Sequence, residues 1–181
     1  MFTSLAIVVV LSAVVLFFAS FLSWMVLQLH KQDWNKLPTN EDNFLAALAK
    51  CDAPVGSYMF PGACSNAERQ SEEFQTKFAA GPRGVLTLLP PVNMGQNLGL
   101  TFAYFLAVSV GLAYLASVAF RPGAGFLSVF PFVFAAGLMT FLAGMVSHAI
   151  WFRPRIVGHV IESVAYAALT ATIFAALWPA A

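Results

Sequence analysis

Leu5 to Leu27, LAIVVVLSAVVLFFASFLSWMVL, carries no charge. At about 1.5 Å per residue, a helix of that length crosses a hydrocarbon core of about 30 Å. Three more runs share its character: Leu98–Phe120, Phe126–Ile150 and His159–Trp178. Only 9% of the 181 residues are charged, against about 25% in an ordinary soluble domain, and 60% are hydrophobic. The predicted fold is therefore all-α, a four-helix transmembrane bundle with spans near 5–28, 97–120, 126–151 and 159–178. A cleaved signal peptide would show a basic residue ahead of a shorter apolar run of about 7–15 residues, and nothing basic precedes Leu5.

Between the first two spans the composition reverses. Every charged residue before Arg153, apart from Arg121, falls in the segment 30–96. Thr39 and Asp42 suggest a cap for a short helix over EDNFLAALAK, and Ser65 with Glu68 has capping-box spacing for a second helix running through Phe78. Gly81-Pro82 stops that helix. The prolines and glycines of CDAPVGSYMFPGAC argue against a regular element there, and Val85–Leu89 reads as an extended approach to the second span. The chain is thus read as one integral membrane domain, 1–181, with a mostly helical extramembrane insert at 30–96. The short helices need a surface to dock on, so the insert is expected to cap one end of the bundle.

Counting crossings places this insert and the hairpin 151–158 on one side, and the Arg121 turn on the other. Lys31, Lys36, Arg153 and Arg155 against Arg121 favour the insert side as cytoplasmic. A Cys51–Cys64 disulfide would argue the reverse, since such bonds persist in oxidising compartments. A disulfide and two free thiols are the two readings of that pair, whose spacing fits neither a CxxC redox motif nor a zinc finger.

Polar chemistry concentrates in GMVSHAIWFRPRIVGHVIESVAYAALT, residues 144–170. Ala136, Thr140, Gly144 and His148 share one helical face, predicted to meet a neighbouring helix. His159, Glu162, Tyr166 and Thr170 share a face of the last span. Glu162 is the only acidic residue inside a span, and an intramembrane carboxylate defaults to a functional hypothesis. It lies about one turn into its helix, however, where Arg153 or Arg155 could fold back on it. The sequence therefore predicts a structural polar cluster of Arg153, Arg155, Glu162, His148, His159 and Tyr166. His148, His159 and Glu162 would be the ligands if a metal such as Zn or Fe, or a haem, were held. No cofactor or metal is predicted, because no compact ligand motif accompanies them.

HKQDWNKLP after the first span, SYMFPGA in the insert and the closing AALWP resemble a group of small uncharacterised bacterial integral membrane proteins. The resemblance covers most of the chain. It implies a bacterial inner-membrane location and no particular activity.

Net charge is +1, so nothing suggests nucleic acid. No P-loop, no GxSxG, no HExxH and no GxGxxG after a strand is present. The leading expectation is a non-enzymatic accessory protein whose partners are the lipid bilayer and other membrane subunits, or a second copy of itself. Small-residue stripes on the second span, Ala103/Ala107/Gly111 and Ser109/Ala113/Ser117, motivate it. The alternative is a membrane redox or ligand-binding protein with its site at the covered bundle end, at His148, His159 and Glu162. A transporter ranks third, for want of polar groups to coordinate a substrate.

Overall fold

The computed structural model describes residues 2–181, with side chains from Leu5 onward. Its helical content is 67%, and four helices are long and apolar enough to cross a membrane: Leu5–Val26, Met94–Ala119, Phe126–Phe152 and Val157–Ala176. In chain order the elements are helix α1 (Phe2–Phe21), running into a π-helical turn at Leu22–Val26, then α2 (Glu41–Lys50), strand β1 (Gly56–Phe60), α3 (Asn66–Gln70), α4 (Glu72–Ala80), β2 (Gly84–Leu88), α5 (Met94–Ala119), α6 (Phe126–Phe152) and α7 (Val157–Ala176). The chain divides into two compact units, residues 1–36 with 94–181, and residues 37–93.

In the larger unit α7 is the most buried span. Its buried residues Gly158, Glu162, Tyr166, Thr170 and Phe174 recur at steps of four, and Ser163, Ala167, Ala171 and Ala175 lie beside them. That broad stripe touches both α6 and α1, while α1 also lies along α5. Small residues set the spacing: a Cβ on Gly137 of α6 would come within 3.4 Å of the Ala167 Cα. Such close backbone approach is how helices gain dispersion energy in lipid, where burial alone gives no preference. Val8, Val9, Leu112, Val129, Val133 and Phe174 fill one core cluster, and Leu16, Phe105 and Tyr166 a second.

The turn between α5 and α6 is bonded to the exit of α7. The backbone N–H of Gly123 donates to Pro179 O at 2.8 Å, and Trp178 Nε1 donates to Arg121 O at 3.0 Å. Gly123 adopts φ +83°, a conformation that disfavours any side chain.

One expected packing face differs from the structure. On α6, Thr140, Gly144 and His148 are exposed rather than turned to a neighbour. The contact face is Val129, Val133 and Gly137, because Gly137 is the residue that admits Ala167. On α5 the Ser109 and Ala113 stripe is buried, and the Ala103/Ala107/Gly111 stripe is not.

The smaller unit is less helical than predicted. Gly56–Phe60 pairs antiparallel with Gly84–Leu88, Tyr58 opposite Leu86: the second strand matches the extended reading of Val85–Leu89, whereas the first falls where the sequence reads as irregular. Alternate residues of both strands are half-buried, so the period-two pattern of a two-stranded sheet was present but hidden by the flanking prolines and glycines. The first helix starts at Asn40, in left-handed conformation and without a side-chain cap, rather than at Thr39 and Asp42. The Ser65–Glu68 box is real: Ser65 Oγ accepts from the Glu68 N–H at 3.1 Å, and Glu68 Oε2 accepts from the Cys64 N–H at 2.7 Å. It caps only α3, since Ser71 breaks the helix and caps α4 by accepting from the Phe74 N–H at 3.2 Å. Cys51 and Cys64 are exposed free thiols.

Candidate functional site

The site is built where α1 ends and α7 begins. After the π-helical turn the Leu29 N–H donates to Ser23 O at 3.1 Å, and Gln28 takes a left-handed φ of 49°. This reverses the chain and turns His30 back against the first turn of α7. Gly158 makes the approach feasible, since a Cβ there would stand 3.0 Å from both His30 Cε1 and Leu29 O. The ring of Trp24 stacks on His30, with centroids 4.0 Å apart and planes 17° from parallel.

His30 is thereby held between two carboxylates. Its Nδ1 lies 2.6 Å from Asp33 Oδ2, and its Nε2 lies 3.0 Å from Glu162 Oε2. The first contact is a hydrogen bond; the second is at ion-pair distance but out of line with the ring N–H, so Nε2 has no hydrogen-bond partner among the described residues. The other Glu162 oxygen, Oε1, accepts from the Tyr166 hydroxyl at 3.0 Å. These two residues are one helical turn apart, which places both side chains on the same face. His159 completes the group: its Nε2 is 3.9 Å from Asp33 Oδ2, and its ring centroid is 4.5 Å from that of His30. The side chains of His30, Asp33 and Glu162 are 2%, 9% and 9% exposed. Asp33 Oδ1 is buried without a hydrogen-bond partner. Among the described residues, Asp33 and Glu162 find only histidines as ion-pair partners.

Glu162, His159 and Tyr166 also line a cavity of about 400 Å³. Its remaining wall is mostly apolar, with Phe17 and Phe21 from α1, Tyr104 and Phe105 from α5, and Phe141 from α6.

Of the predicted polar cluster, Glu162, Tyr166 and His159 come together and the other three do not. Arg155 donates instead to the Gln32 side chain. Arg153 is exposed at the C-cap of α6 in left-handed conformation, and no contact joins it to Glu162 among the described residues. His148 is exposed and stacks on Phe152 at 4.6 Å, one turn further along α6. The expected arginine partners of Glu162 are thus replaced by His30. Sequence reasoning placed His30 at this end of the bundle without assigning it a partner, and missed Asp33, Trp24 and Gly158. The available signal was His30 and Asp33 three residues apart just beyond an uncharged span.

No protein-family model, no curated protein and no solved structure matches the chain.

Proposed function

We propose that this is a multi-pass membrane protein whose bundle binds a small amphipathic molecule. The apolar body would lie in the cavity, and a hydroxylated head would meet Glu162, His159 and Tyr166. The observation that carries this reading is a buried carboxylate in the lining of a mostly apolar cavity. Its volume of about 400 Å³ falls within the roughly 300–1,000 Å³ of small-molecule sites. A carboxylate has about four acceptor positions, so Glu162 can take a hydroxyl from a ligand while keeping Tyr166 and His30. His159, half-buried in the same lining, supplies a donor.

The test is calorimetric titration of the detergent-purified protein with a short-chain alkyl hydroquinone and with the alkylbenzene of the same chain. A hydrogen bond to a charged group contributes about 1.5–3 kcal/mol, so the hydroquinone should bind on the order of tenfold more tightly or better. Glu162→Gln should narrow that gap. Equal affinities, or no saturable binding of either, would overturn the reading.

A second reading, an accessory subunit packing with other membrane chains or with itself, draws on α6. It is the least buried span, and nothing lies within 4 Å of a Cβ placed on Gly144. Light scattering of wild type and Gly144→Leu tests it: a purely monomeric wild type without partners on co-purification counts against it.

A further inference from the structure

We propose that His30, Asp33 and His159 bind a divalent first-row transition ion, with Glu162 as the outer partner that orients His30. One ligand atom from each of these three residues can be chosen so that all lie within 4.8 Å of one another. Ligands at about 2.1 Å from a tetrahedral ion sit roughly 3.4 Å apart, so small side-chain rotations close the set. Two imidazoles and a carboxylate suit Zn, Fe or Mn, and leave a position for water or a ligand.

Two features separate this group from an ordinary buried histidine. Asp33 Oδ1, on the carboxylate that would hold the ion, is buried without a hydrogen-bond partner among the described residues, a costly arrangement in a site that nothing further satisfies. Two carboxylates with side chains 9% exposed also flank His30, with no lysine or arginine paired to either among the described residues. A divalent cation compensates that charge.

The geometry also allocates the nitrogens. Nδ1 of His30 faces Asp33, and Gly158 keeps the space beside it open, since a Cβ there would stand 3.1 Å from Nδ1. Nε2 faces Glu162, whose other oxygen is fixed by Tyr166. A metal-bound histidine whose second nitrogen meets a carboxylate is the usual outer arrangement of such centres, and its loss weakens metal affinity by about 10–100-fold. Trp24 fixes the ring plane. This inference stands apart from the amphipathic-ligand reading: a chain that binds metal and no hydroquinone, or the reverse, separates the two.

The full chain is purified in detergent, stripped with EDTA and titrated with Zn²⁺ by calorimetry. One ion per chain is expected. Asp33→Asn and His159→Gln should each weaken binding by at least about tenfold, Glu162→Gln by about 10–100-fold, and the exposed His148→Gln not at all. Folding of each variant is checked by circular dichroism. Independently of any variant, Co²⁺ added to the wild type should give the intense visible bands of a four-coordinate ion. No stoichiometric Zn²⁺ uptake by the wild type, the weak spectrum of a six-coordinate aquo ion, or affinity unchanged in folded Asp33→Asn and His159→Gln would each overturn the proposal.

Discussion

Gly158→Ala tests whether the chain after α1 is docked against α7 as tightly as the site requires. The added Cβ would stand 3.0 Å from Leu29 O, 3.0 Å from His30 Cε1 and 3.1 Å from His30 Nδ1, where ordinary contact begins at 3.4 Å. Something must move by about 0.4 Å, and the nearest obstacle includes a backbone carbonyl rather than a flexible side-chain tip. Leu29 is bonded to Ser23, Lys31 to Gln28 and Asp33 to His30 through the backbone, so the segment shifts as a unit or not at all. Inserting a methyl into such a site costs about 1–3 kcal/mol. Alanine recovers at most about 1 kcal/mol of helix propensity, and less in a first turn. The expected net loss is about 1–2 kcal/mol, accompanied by faster hydrogen exchange over residues 27–33. Gly99→Ala is the control: nothing lies within 4 Å of its Cβ, so only the gain of about 0.5–1 kcal/mol should appear. Reversible unfolding in mixed detergent micelles, with exchange mass spectrometry on the same samples, measures both. A Gly158→Ala protein as stable as wild type, with unchanged protection of 27–33, would falsify the close approach on which the site depends.

Other outcomes can be measured on the same protein. Glu162→Gln should lower stability by about 1–3 kcal/mol through the lost charged contacts to His30 and Tyr166, and combining it with His30→Ala should be clearly less than additive in a double-mutant cycle. Arg153→Ala, at an exposed hairpin position, should change stability by no more than about 0.5 kcal/mol in the same unfolding assay. Ser71→Ala removes the cap of α4 and should cost about 1 kcal/mol locally, read as faster exchange over residues 72–76. In α4, the Lys77 ammonium bonded to Glu73 holds that carboxyl below its ordinary 4.5, and Glu73 raises Lys77 above 10.5. The Glu73 contribution should therefore fade as pH falls below about 4.5, and that of Lys77 as pH rises past 10.5, giving weaker exchange protection of α4 at both extremes.

The spans were legible because their signal is composition over a long window, which tertiary context cannot reverse. The buried face of α7 was legible for a related reason: Glu162, Tyr166 and Thr170 recur at helical spacing, and all three are buried. The partner of Glu162 was not legible. Arg153 and Arg155 are near in sequence and of opposite charge, so proximity along the chain favoured them. Asp33 and His30 are more than a hundred residues away, and only the crossing count brings them to the same end. Arg153 ends α6 in left-handed conformation and Arg155 bonds Gln32, details that a Phe-Arg-Pro-Arg sequence does not announce. The first strand of the smaller unit and its pairing with the second escaped because each strand is short and the two are separated by two helices.

Three departures from ordinary backbone converge on His30. The last turn of α1 is π-helical, closed by the Leu27 N–H donating to Leu22 O at 2.8 Å. Gln28 follows in left-handed conformation, which costs a non-glycine residue about 1–2 kcal/mol. Gly158 gives up helix propensity in α7 so that the loop can come within contact. Strained backbone of this kind concentrates where a side chain must be aimed, and π-turns recur at functional sites. The conformational cost is therefore attached to the direction of the His30 ring, one nitrogen towards Asp33 and the other towards Glu162. A histidine serving only to fill space has no need of that direction, whereas one that binds an ion on one side and is oriented by a carboxylate on the other does.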